Sequence, residues 1–229
     1  MENLRILERR NLKTNLIIFG PPGSGKGTYA SRLQVKLGIP AIATGDMFRN
    51  ISKKDSKFGQ EIMKYIKNGE LVPDAIVINV LRKRLSRDDC RRGFILDGYP
   101  RTIKQAKVLE GLAEINAIIL LQVPEWIVIE RLSSRRICRT CGEVYNIRFL
   151  RPKKKGTCDK CGGVLYQRID DSPKVIGERL TIYEKNMEPL LAFYNGKVPF
   201  IKYSSNSIDT PPGVAVAEIL QGLKKLKLS

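Results

Sequence analysis

The sequence Gly-Pro-Pro-Gly-Ser-Gly-Lys-Gly-Thr runs from Gly20 to Thr28. An apolar run at residues 16–19 precedes it and predicts a buried strand, and residues 29–37 follow with a helical pattern. Strand, glycine-rich turn and helix in this order are the context of a phosphate-binding loop. The glycines let backbone N–H groups point at an anion, and the helix N-terminus adds a positive dipole end. With the mobile cation of Lys26, the stretch predicts a polyphosphate site.

Composition sets limits on the class of protein. The 229 residues are 42% hydrophobic, which is enough for a core and too high for a disordered chain. No apolar run reaches the roughly 20 residues of a membrane span, and residues 1–14 lack the apolar segment of a secretory signal. We therefore expect no membrane partner, and we interpret residues 1–14 as a short N-terminal extension.

The chain is strongly basic and contains no histidine. Its formal charge of +18 is compatible with nucleic acid, a membrane surface or small anionic substrates. The basic residues are spread along the whole chain, with short runs only at residues 153–155 and 224–227, so a solvated basic surface is the simpler interpretation. The absence of histidine excludes every mechanism that uses a histidine base or ligand.

Five apolar segments predict parallel strands, and helical patterns separate most of them. They cover residues 16–19, 39–43, 94–96, 117–123 and 200–203. The alternation predicts an α/β fold, with helices on both faces of a parallel sheet of about five strands. Two stretches interrupt it, a polar helical one at 44–72 and a turn-rich one at 134–171. We expect both to be insertions at the carboxyl edge of the sheet, where open α/β folds bind ligands.

Four cysteines form two pairs, Cys138-x-x-Cys141 and Cys158-x-x-Cys161. Each spacing lets two sulfurs hold one metal ion, and glycines after both pairs allow the tight turns of such sites. Four thiolates without a further ligand suit tetrahedral Zn²⁺ in a closed structural site, and iron or cobalt fits the same donors. Disulfides are the alternative and are rare in intracellular enzymes. We expect the fifth cysteine, Cys90, to be a small packing side chain.

An aspartate ends the third predicted strand, and arginines are candidates for a phosphate clamp. A carboxylate such as Asp97 beside a phosphate-binding loop typically holds water on Mg²⁺, and capping of the next turn is its alternative role. Guanidinium groups bind phosphate bidentately and keep their charge, although a single arginine is more often a surface residue. The candidates are Arg49, Arg101, Arg131, Arg135, Arg168 and Arg179.

Several motifs make the chain resemble the adenylate kinases, a family of nucleoside-monophosphate kinases. The phosphate loop has Gly27 where most such loops carry Ser or Thr, and its hydroxyl follows at Thr28, as in this family. The cysteine stretch is similar to the zinc-bearing lid of the bacterial long form, and the resemblance covers residues 15–203. The other motifs are Thr44-Gly45-Asp46-Met47-Phe48-Arg49, Gly69-Glu70-Leu71-Val72-Pro73-Asp74, Asp97-Gly98-Tyr99-Pro100-Arg101, Gln105 and Gln167-Arg168-Ile169-Asp170-Asp171.

The resemblance implies the reaction ATP + AMP ⇌ 2 ADP, with Mg²⁺ accompanying ATP, and it implies roles for individual residues. The implied ATP-binding residues are Gly23, Ser24, Gly25, Lys26, Gly27, Thr28, Arg131, Arg135, Val144 and Tyr145. The implied AMP-binding residues are Thr44, Arg49, Glu70, Leu71, Val72, Gly98, Tyr99, Pro100, Arg101, Gln105, Arg168 and Arg179. The implied catalytic residues are Lys26, Asp97, Arg101, Arg135, Arg168 and Arg179, and the implied ligands of a structural Zn²⁺ are Cys138, Cys141, Cys158 and Cys161.

Finer roles follow from the same resemblance. Gln105 would read the adenine edge, and Asp46 would join Asp97 in ordering waters on Mg²⁺. Asp170 and Asp171 would pair with arginines or help to hinge the lid. One departure from the family pattern is Asn146, where lids of this type often have histidine. Residues 204–214 have no clear match to the family pattern, so the resemblance does not identify which of them contact adenine.

The resemblance also implies a division of the chain and a cellular setting. The core would comprise residues 15–43, 73–133 and 172–229, with an AMP-binding insertion at 44–72 and a zinc-binding lid at 134–171. Both insertions would close over the nucleotides and exclude water. The implied partners are ATP, AMP and ADP, without nucleic acid, for a cytoplasmic monomer.

Two alternatives stay open from the sequence. A UMP/CMP kinase or a broad-specificity kinase would share the fold and the mechanism, because one or two hydrogen bonds decide which base is accepted. A nucleic-acid-binding zinc-ribbon protein would use the charge and the cysteine pairs. Against the second alternative, the cysteine pairs lie inside the enzyme pattern, and no basic and aromatic stacking pattern accompanies them.

Overall fold

The structure is a computed structural model that describes residues 13–53 and 56–228. The predicted N-terminal extension lies outside the described residues, apart from Lys13 and Thr14. Thr14 already belongs to the first strand, and its backbone N–H donates to the Arg92 carbonyl at 3.1 Å. The first strand therefore begins two residues earlier than the apolar run predicts.

Eight strands and eight helices make up the described part of the chain. In chain order they are β1 (Thr14–Phe19), α1 (Lys26–Leu37), β2 (Ala41–Ala43), α2 (Thr44–Ser52), α3 (Lys57–Asn68), α4 (Asp74–Leu85), β3 (Gly93–Asp97), α5 (Ile103–Glu110), β4 (Ala117–Gln122), α6 (Glu125–Ser133), β5 (Arg135–Cys138), β6 (Val144–Asn146), β7 (Leu165–Tyr166), α7 (Pro173–Tyr194), β8 (Phe200–Ser204) and α8 (Pro212–Lys225). Short 3₁₀ turns at Asp88–Cys90 and Ile169–Asp171 complete the set.

Five parallel strands form the central sheet in the order β2-β3-β1-β4-β8. Each of the five apolar segments of the sequence supplies one of them, so the predicted α/β class is confirmed. β1 occupies the middle, and all six of its residues are buried. A strand buried on both faces needs a continuous apolar run, and this explains why residues 16–19 show no alternation.

Alternate residues of β1 enter two different cores, one on each face of the sheet. Leu16 and Ile18 pack with α1 and α8, whereas Ile17 and Phe19 pack with side chains from α4, α5 and α7. The period of two along a strand divides the run between the two faces. The molecule thus has helices on both sides of the sheet, as the alternation of predicted strands and helices indicates.

The two interrupting stretches have the character that the sequence predicts. The first, 44–72, contains α2 and α3, and the Ser56 hydroxyl caps α3 by accepting from Gly59 N at 3.0 Å. The second contains a separate antiparallel sheet in the order β6-β5-β7. Its small apolar cluster consists of Cys138, Tyr145 and Cys158, with Leu165 packed against them.

The carboxyl ends of the central strands bring distant parts of the sequence to one edge. The glycine-rich loop follows β1, Thr44 follows β2, and Asp97 ends β3. Parallel strands end at the same side of a sheet, so these residues meet there although up to about 80 positions separate them. Within the described residues, no helix is long and apolar enough to cross a bilayer.

Candidate active site

The glycine-rich loop turns sharply between β1 and α1. Gly23 and Gly25 have φ values of 80° and 99°, in the left-handed region that side chains rarely adopt. A Cβ at Gly23 would also lie 2.7 Å from Leu132 Cγ on α6. The sequence therefore needs glycine here both for the turn and for the close approach of α6. This turn lets α1 begin at Lys26 with its N-terminus directed at the loop.

Lys26 lies inside the curl of the loop. Its Nζ donates hydrogen bonds to the carbonyls of Gly20 at 2.6 Å and Pro21 at 2.8 Å. Burial lowers the pKa of Lys26 to about 8, and nearby arginines contribute to the lowering, while the carboxylate of Asp97 opposes it. At pH 7 this lysine is still mostly protonated, and phosphate oxygens would stabilise its charge further.

Asp97 faces the start of α1 across the loop. A Cβ at Gly27 would lie 3.3 Å from Asp97 Oδ2, so a Ser or Thr at position 27 would crowd this carboxylate. Burial raises the pKa of Asp97, and the charges of Lys26 and Arg101 oppose that shift. No side chain among the described residues donates to its carboxylate oxygens, which leaves both oxygens to accept from water on Mg²⁺. Glycine at position 27 thus leaves the Asp97 carboxylate room at the start of α1.

Arg49 and Arg168 meet at Asp46 beside the loop. Arg49 Nη2 lies 2.6 Å and Arg168 Nη2 3.1 Å from the same oxygen, Asp46 Oδ1. Arg49 Nη1 also lies 3.8 Å from Asp170. Burial favours the neutral acid, yet the surrounding arginines together outweigh it and lower the pKa of both carboxyls, with Arg49 contributing most at Asp46 and Arg179 most at Asp170. Arg49 and Arg168, 119 positions apart, thus share one carboxylate.

Two further arginines are held by Asp170 and Asp171. Arg135 makes a bidentate ion pair with Asp171, through Nη2 at 2.5 Å and Nε at 2.9 Å. Arg179 lies 3.0 Å from the Asp170 carboxylate and 3.4 Å from Asp171. Burial lowers the pKa of Arg168 and Arg179 to about 10, and the charge of Arg135 adds to this lowering. The predicted pairing of the double aspartate with arginines is what the geometry shows.

The cluster carries an excess of positive charge. Six cations of this region face four carboxylates, which suits a site for highly charged anions. The cations are Lys26, Arg49, Arg101, Arg135, Arg168 and Arg179, and the carboxylates are Asp46, Asp97, Asp170 and Asp171. Convergence of the arginines was the condition for a phosphate clamp, and five of the six candidates meet it.

Arg131 lies apart from the other arginines, beside the glycine-rich loop. Its guanidinium donates to Ser205 Oγ at 3.2 Å and to the Ser207 carbonyl at 3.4 Å, and it lies 3.5 Å from the Ser24 carbonyl. Residues 204–214, for which the sequence offered no match, thus begin at the edge of the loop. Their position follows from strand β8, which pairs with β4 and ends at Ser204, at the carboxyl edge of the sheet.

A cleft beside the phosphate loop collects the residues expected to bind the monophosphate nucleotide. The Thr44 hydroxyl at the start of α2 donates to the Gly98 carbonyl at 2.8 Å, and Arg101 Nε donates to the same carbonyl at 2.8 Å. Tyr99 is fully buried, and its hydroxyl donates to the Gln105 carbonyl at 3.0 Å, so its side chain supports the wall from behind. The cleft is lined by Thr44, Gly45, Phe48, Arg49, Ile66, Gly69, Glu70, Leu71, Val72, Val77, Gly98, Arg101, Gln105, Asp170 and Arg179.

The four paired cysteines of the small sheet come together. All four sulfurs lie within 4.8 Å of one another, with Cys138 and Cys161 3.4 Å apart and Cys141 and Cys158 3.6 Å apart. Zn–S bonds of about 2.3 Å in a tetrahedron place sulfurs about 3.8 Å apart, so the donor set fits a structural zinc ion. Each pair has the same turn, since Gly142 N donates to the Cys138 carbonyl and Gly162 N to that of Cys158.

The side chains of Val144 and Tyr145 differ in burial. Tyr145 is buried in the lid, where its hydroxyl contacts Cys158 Sγ at 3.4 Å and accepts from Asp159 N at 2.8 Å. Its ring therefore packs against the cysteine cluster. A contact of Tyr145 with ATP, as the resemblance implies, would have to use its backbone. Val144 is half-buried on the strand that pairs with β5.

Two polar contacts of the site had no assigned role in the sequence. Asp74 bonds the side chain of Gln105 at 2.7 Å, and Asn146 joins the lid to the end of α6. The Asn146 side-chain amide donates to Ser134 Oγ at 2.8 Å and to the Arg131 carbonyl at 3.3 Å, and its oxygen accepts from Arg148 N. The sequence signal for Asp74 is a carboxylate at a helix start, and the signal for Asn146 is its departure from the family pattern.

The fold and the site define a P-loop nucleotide-binding protein with a second nucleotide cleft at the same sheet edge, which is the class of the nucleoside-monophosphate kinases. A model of the adenylate kinase family matches residues 18–198. An adenylate kinase of Geobacillus sp. (strain WCH70) is 45% identical over 216 residues, 92% of this chain and 100% of that protein. Those of Archaeoglobus fulgidus and Bacillus subtilis are 49% and 44% identical, over 80% and 92% of this chain and 87% and 100% of those proteins. The chain belongs to the adenylate kinase family.

Proposed function

We propose that this chain catalyses the reversible transfer of a phosphoryl group from ATP to AMP, giving two ADP. The observation that carries the proposal is the meeting of the phosphate loop, the arginine cluster and the second cleft at one edge of the sheet. A donor triphosphate on the loop and an acceptor monophosphate in the cleft would face one another there. Phosphoryl transfer demands in-line positioning and neutralised charge, and little covalent chemistry by the protein.

In the proposed mechanism the loop holds the phosphates of ATP. Backbone N–H groups of residues 23–28 and the Lys26 ammonium would bind them, and Lys26 would exchange the carbonyls of Gly20 and Pro21 for phosphate oxygens. Arg131 would lie along the nucleoside beside residues 205–207. Mg²⁺, when bound with ATP, would supply positive charge to the phosphate oxygens, and Asp97 with Asp46 would accept hydrogen bonds from its waters.

AMP would occupy the cleft between α2, α3 and the end of β3. Arg49 and Arg101 would bind its phosphate, and Thr44, Gly98 and residues 70–72 would line its ribose and base. Gln105 at the back of the cleft would read the adenine edge. Arg135, Arg168 and Arg179 would exchange their carboxylate partners for the oxygens of the transferring group; these partners are Asp171 for Arg135, Asp46 for Arg168, and Asp170 with Asp171 for Arg179. Such exchange lets the cluster stay compact when phosphate is absent.

The domain roles and the metal are also part of the proposal. Residues 44–72 would act as the AMP-binding insertion and 134–171 as the lid, both closing over a core of 15–43, 73–133 and 172–229. Cys138, Cys141, Cys158 and Cys161 would bind a structural Zn²⁺, because the small sheet has few apolar side chains of its own. We propose that the enzyme acts as a monomer in the cytoplasm.

The test is phosphoryl transfer from Mg·ATP to AMP, CMP, UMP and GMP, measured in parallel. We expect efficient transfer to AMP, its loss in Lys26→Ala, and its retention in Lys36→Ala. Lys36 is the matched control because it is exposed on the same helix, at the end away from the loop. Preference for a pyrimidine nucleotide would replace AMP by UMP or CMP as the acceptor, and no transfer to any acceptor would overturn the proposal.

A further inference from the structure

A buried polar cluster lies at the back of the second cleft. Gln105, in the first turn of α5, is 1% exposed. Its Nε2 donates to Asp74 Oδ1 at 2.7 Å, and its Oε1 accepts from Arg101 N at 2.8 Å. The Thr102 hydroxyl lies 3.2 Å and 3.1 Å from the two oxygens of Asp74 and accepts from Gln105 N at 3.2 Å. Asp74 is thereby fixed against α5 from the first turn of α4.

These partners permit one orientation of the Gln105 amide. A carboxylate accepts hydrogen bonds and a backbone N–H donates them, so each partner recognises one end of the amide. A half-turn of the amide would set oxygen against the oxygen of Asp74, and N–H against the N–H of Arg101. The chemistry of the two partners therefore settles the orientation of the Gln105 amide. One N–H and one lone pair of the amide remain for a ligand.

We propose that Asp74 is a positioning residue that makes the second cleft select adenine over 6-oxopurines, by holding the Gln105 amide in this orientation. The inference rests on the proposed function, because it assumes that Gln105 reads a purine in the cleft. Adenine presents a donor at N6 and an acceptor at N1, which match an amide oxygen and an amide N–H. Hypoxanthine presents an acceptor at O6 and a donor at N1, so it needs the opposite amide orientation.

The selection is strong because the amide is buried. A 6-oxopurine would meet like groups at both positions, or it would force the amide to turn against Asp74 and Arg101. Either arrangement leaves buried polar atoms without partners, which costs more than a hydrogen bond gains. Removing the fixed acceptor at position 74 lowers that cost, since an amide there accepts or donates and suits both orientations of Gln105.

The test compares AMP with IMP as acceptor, at one saturating concentration of Mg·ATP. IMP isolates the six-position edge because it lacks the 2-amino group of GMP. In Asp74→Asn we expect the ratio of kcat/KM for AMP to that for IMP to fall by roughly two- to tenfold, the range of one net hydrogen bond. The change should lie in the KM values, with kcat at saturating AMP preserved, because the side-chain contacts of Asp74 are with Thr102 and Gln105 at the back of the cleft.

Glu125→Gln is the matched control. Glu125 also follows a proline and opens a helix, α6, so its substitution removes the same helix-start charge without touching the cleft. We expect its AMP-to-IMP ratio to equal that of the wild type. Calorimetric titration of AMP and IMP without ATP gives the same ratio independently of turnover.

Several outcomes would overturn the inference. A folded Asp74→Asn protein with an unchanged ratio would do so, and so would a parallel loss for AMP and IMP, which a purely structural role predicts. If Asp74→Asn does not fold, Asp74→Ser takes its place. If neither variant folds, NMR spectra of the wild type provide the test. Two exchanging sets of side-chain amide signals for Gln105 would contradict a single orientation of its amide. A wild type that does not use AMP would refute the proposed function instead, so the two failures are distinguishable.

Discussion

Arg101 contacts the backbone and side chains of the cleft wall, and part of its guanidinium remains available to a ligand. Its Nε donates to the Gly98 carbonyl at 2.8 Å, and its backbone N–H holds the Gln105 amide. Its guanidinium is solvent-exposed, and among the described residues no carboxylate lies within ion-pair distance of it, so the charge is available to an anion. This available charge is the reason why we propose Arg101 as a ligand of the AMP phosphate.

Arg101→Ala should lower kcat/KM for AMP by about ten- to a hundredfold. The estimate follows from the ~1.5–3 kcal/mol of a hydrogen bond to a charged group, at 1.4 kcal/mol for each tenfold. Steady-state kinetics with varied AMP measures it. Arg91→Ala is the control, since Arg91 is exposed and its one ion pair within the described residues is with Asp88 at the surface. Near-normal turnover and AMP affinity in Arg101→Ala would contradict the role.

The depressed pKa of Lys26 predicts a pH dependence of ATP binding. The ammonium form binds phosphate, and with a pKa of about 8 most of it is present below pH 8 and lost as the pH rises above 8. The Kd for ATP should therefore be nearly constant below pH 7 and about tenfold higher at pH 9, where roughly a tenth of the protein keeps the charge. Titration calorimetry measures this change.

Lys26→Ala provides the reference for that titration. It should bind ATP weakly, with little change between pH 7 and pH 9, because no group remains to lose a proton. A wild-type Kd that stays flat over this interval would show that Lys26 remains charged, and that its contacts with the loop carbonyls offset its burial.

At the scale of elements, the lid differs from the rest of the molecule in how it is held together. Its three strands are four, three and two residues long. Each is shorter than the typical strand, and the cluster of four packed side chains cannot offset the entropy of ordering residues 134–171. A cross-link at the sulfurs would supply what the apolar contacts lack.

Removal of the metal should lower stability far more than it lowers turnover. We expect chelation, or Cys138→Ser, to reduce Tm by on the order of 10 °C, because a structural zinc site contributes several kcal/mol to folding. At a temperature where the metal-free protein stays folded, kcat should remain close to that of the holoprotein. Calorimetry, metal analysis and kinetics on one sample measure all three.

Cys90→Ser is the control for the cysteine substitution. Cys90 is buried and contacts Arg84 and Asp89, far from the other four sulfurs, so its replacement should leave the metal content unchanged. A metal-free protein that kept its Tm and lost turnover would mean that the metal serves the reaction and not the lid.

At the scale of the whole molecule, the ion pairs of the site connect parts that lie far apart in the chain. Asp46 on α2 holds Arg168 at the end of the lid, and Asp171 holds Arg135 at its beginning. Nucleotide phosphates would compete with these carboxylates for the same guanidinium groups. A ligand shifts a conformational equilibrium by its differential affinity for the two forms, and such an exchange of partners supplies that difference.

Binding of Mg·ATP and AMP should shorten the distance between the lid and the core. Dyes on bio-orthogonal side chains at Val164 in the lid and Val35 on α1 would report it, since both positions are exposed. We expect transfer efficiency to rise on titration of the nucleotides in the wild type and to rise much less in Lys26→Ala. A pair at Val35 and Val214, both on core helices, should not change. No change in the lid pair at saturation would refute closure.

Much of this molecule follows from local patterns. The five apolar segments, the glycine-rich turn and the cysteine spacing are features of neighbouring residues, and their geometry depends on backbone rules that hold in any fold. They sufficed for the parallel sheet, the phosphate loop and the paired knuckles, all of which the structure contains. The strand ends differ from the predicted ones by at most two residues, because hydrogen-bonded ladders extend beyond the apolar runs or stop within them.

The arrangement within the site is of another kind. Arg49 and Arg168 share Asp46 across more than a hundred residues, Arg131 meets residues 205–207, and Asp74 holds Gln105. No local pattern predicts that an arginine will join the phosphate-binding cluster, or that an aspartate at a helix start will hold a glutamine amide. These partners are determined by the packing of separate elements at one edge of the sheet. The types of residue and their spacing in the sequence determined which chemistry this protein can perform. Only the tertiary structure determined which of those residues contact one another, because long-range contacts depend on the topology of the fold.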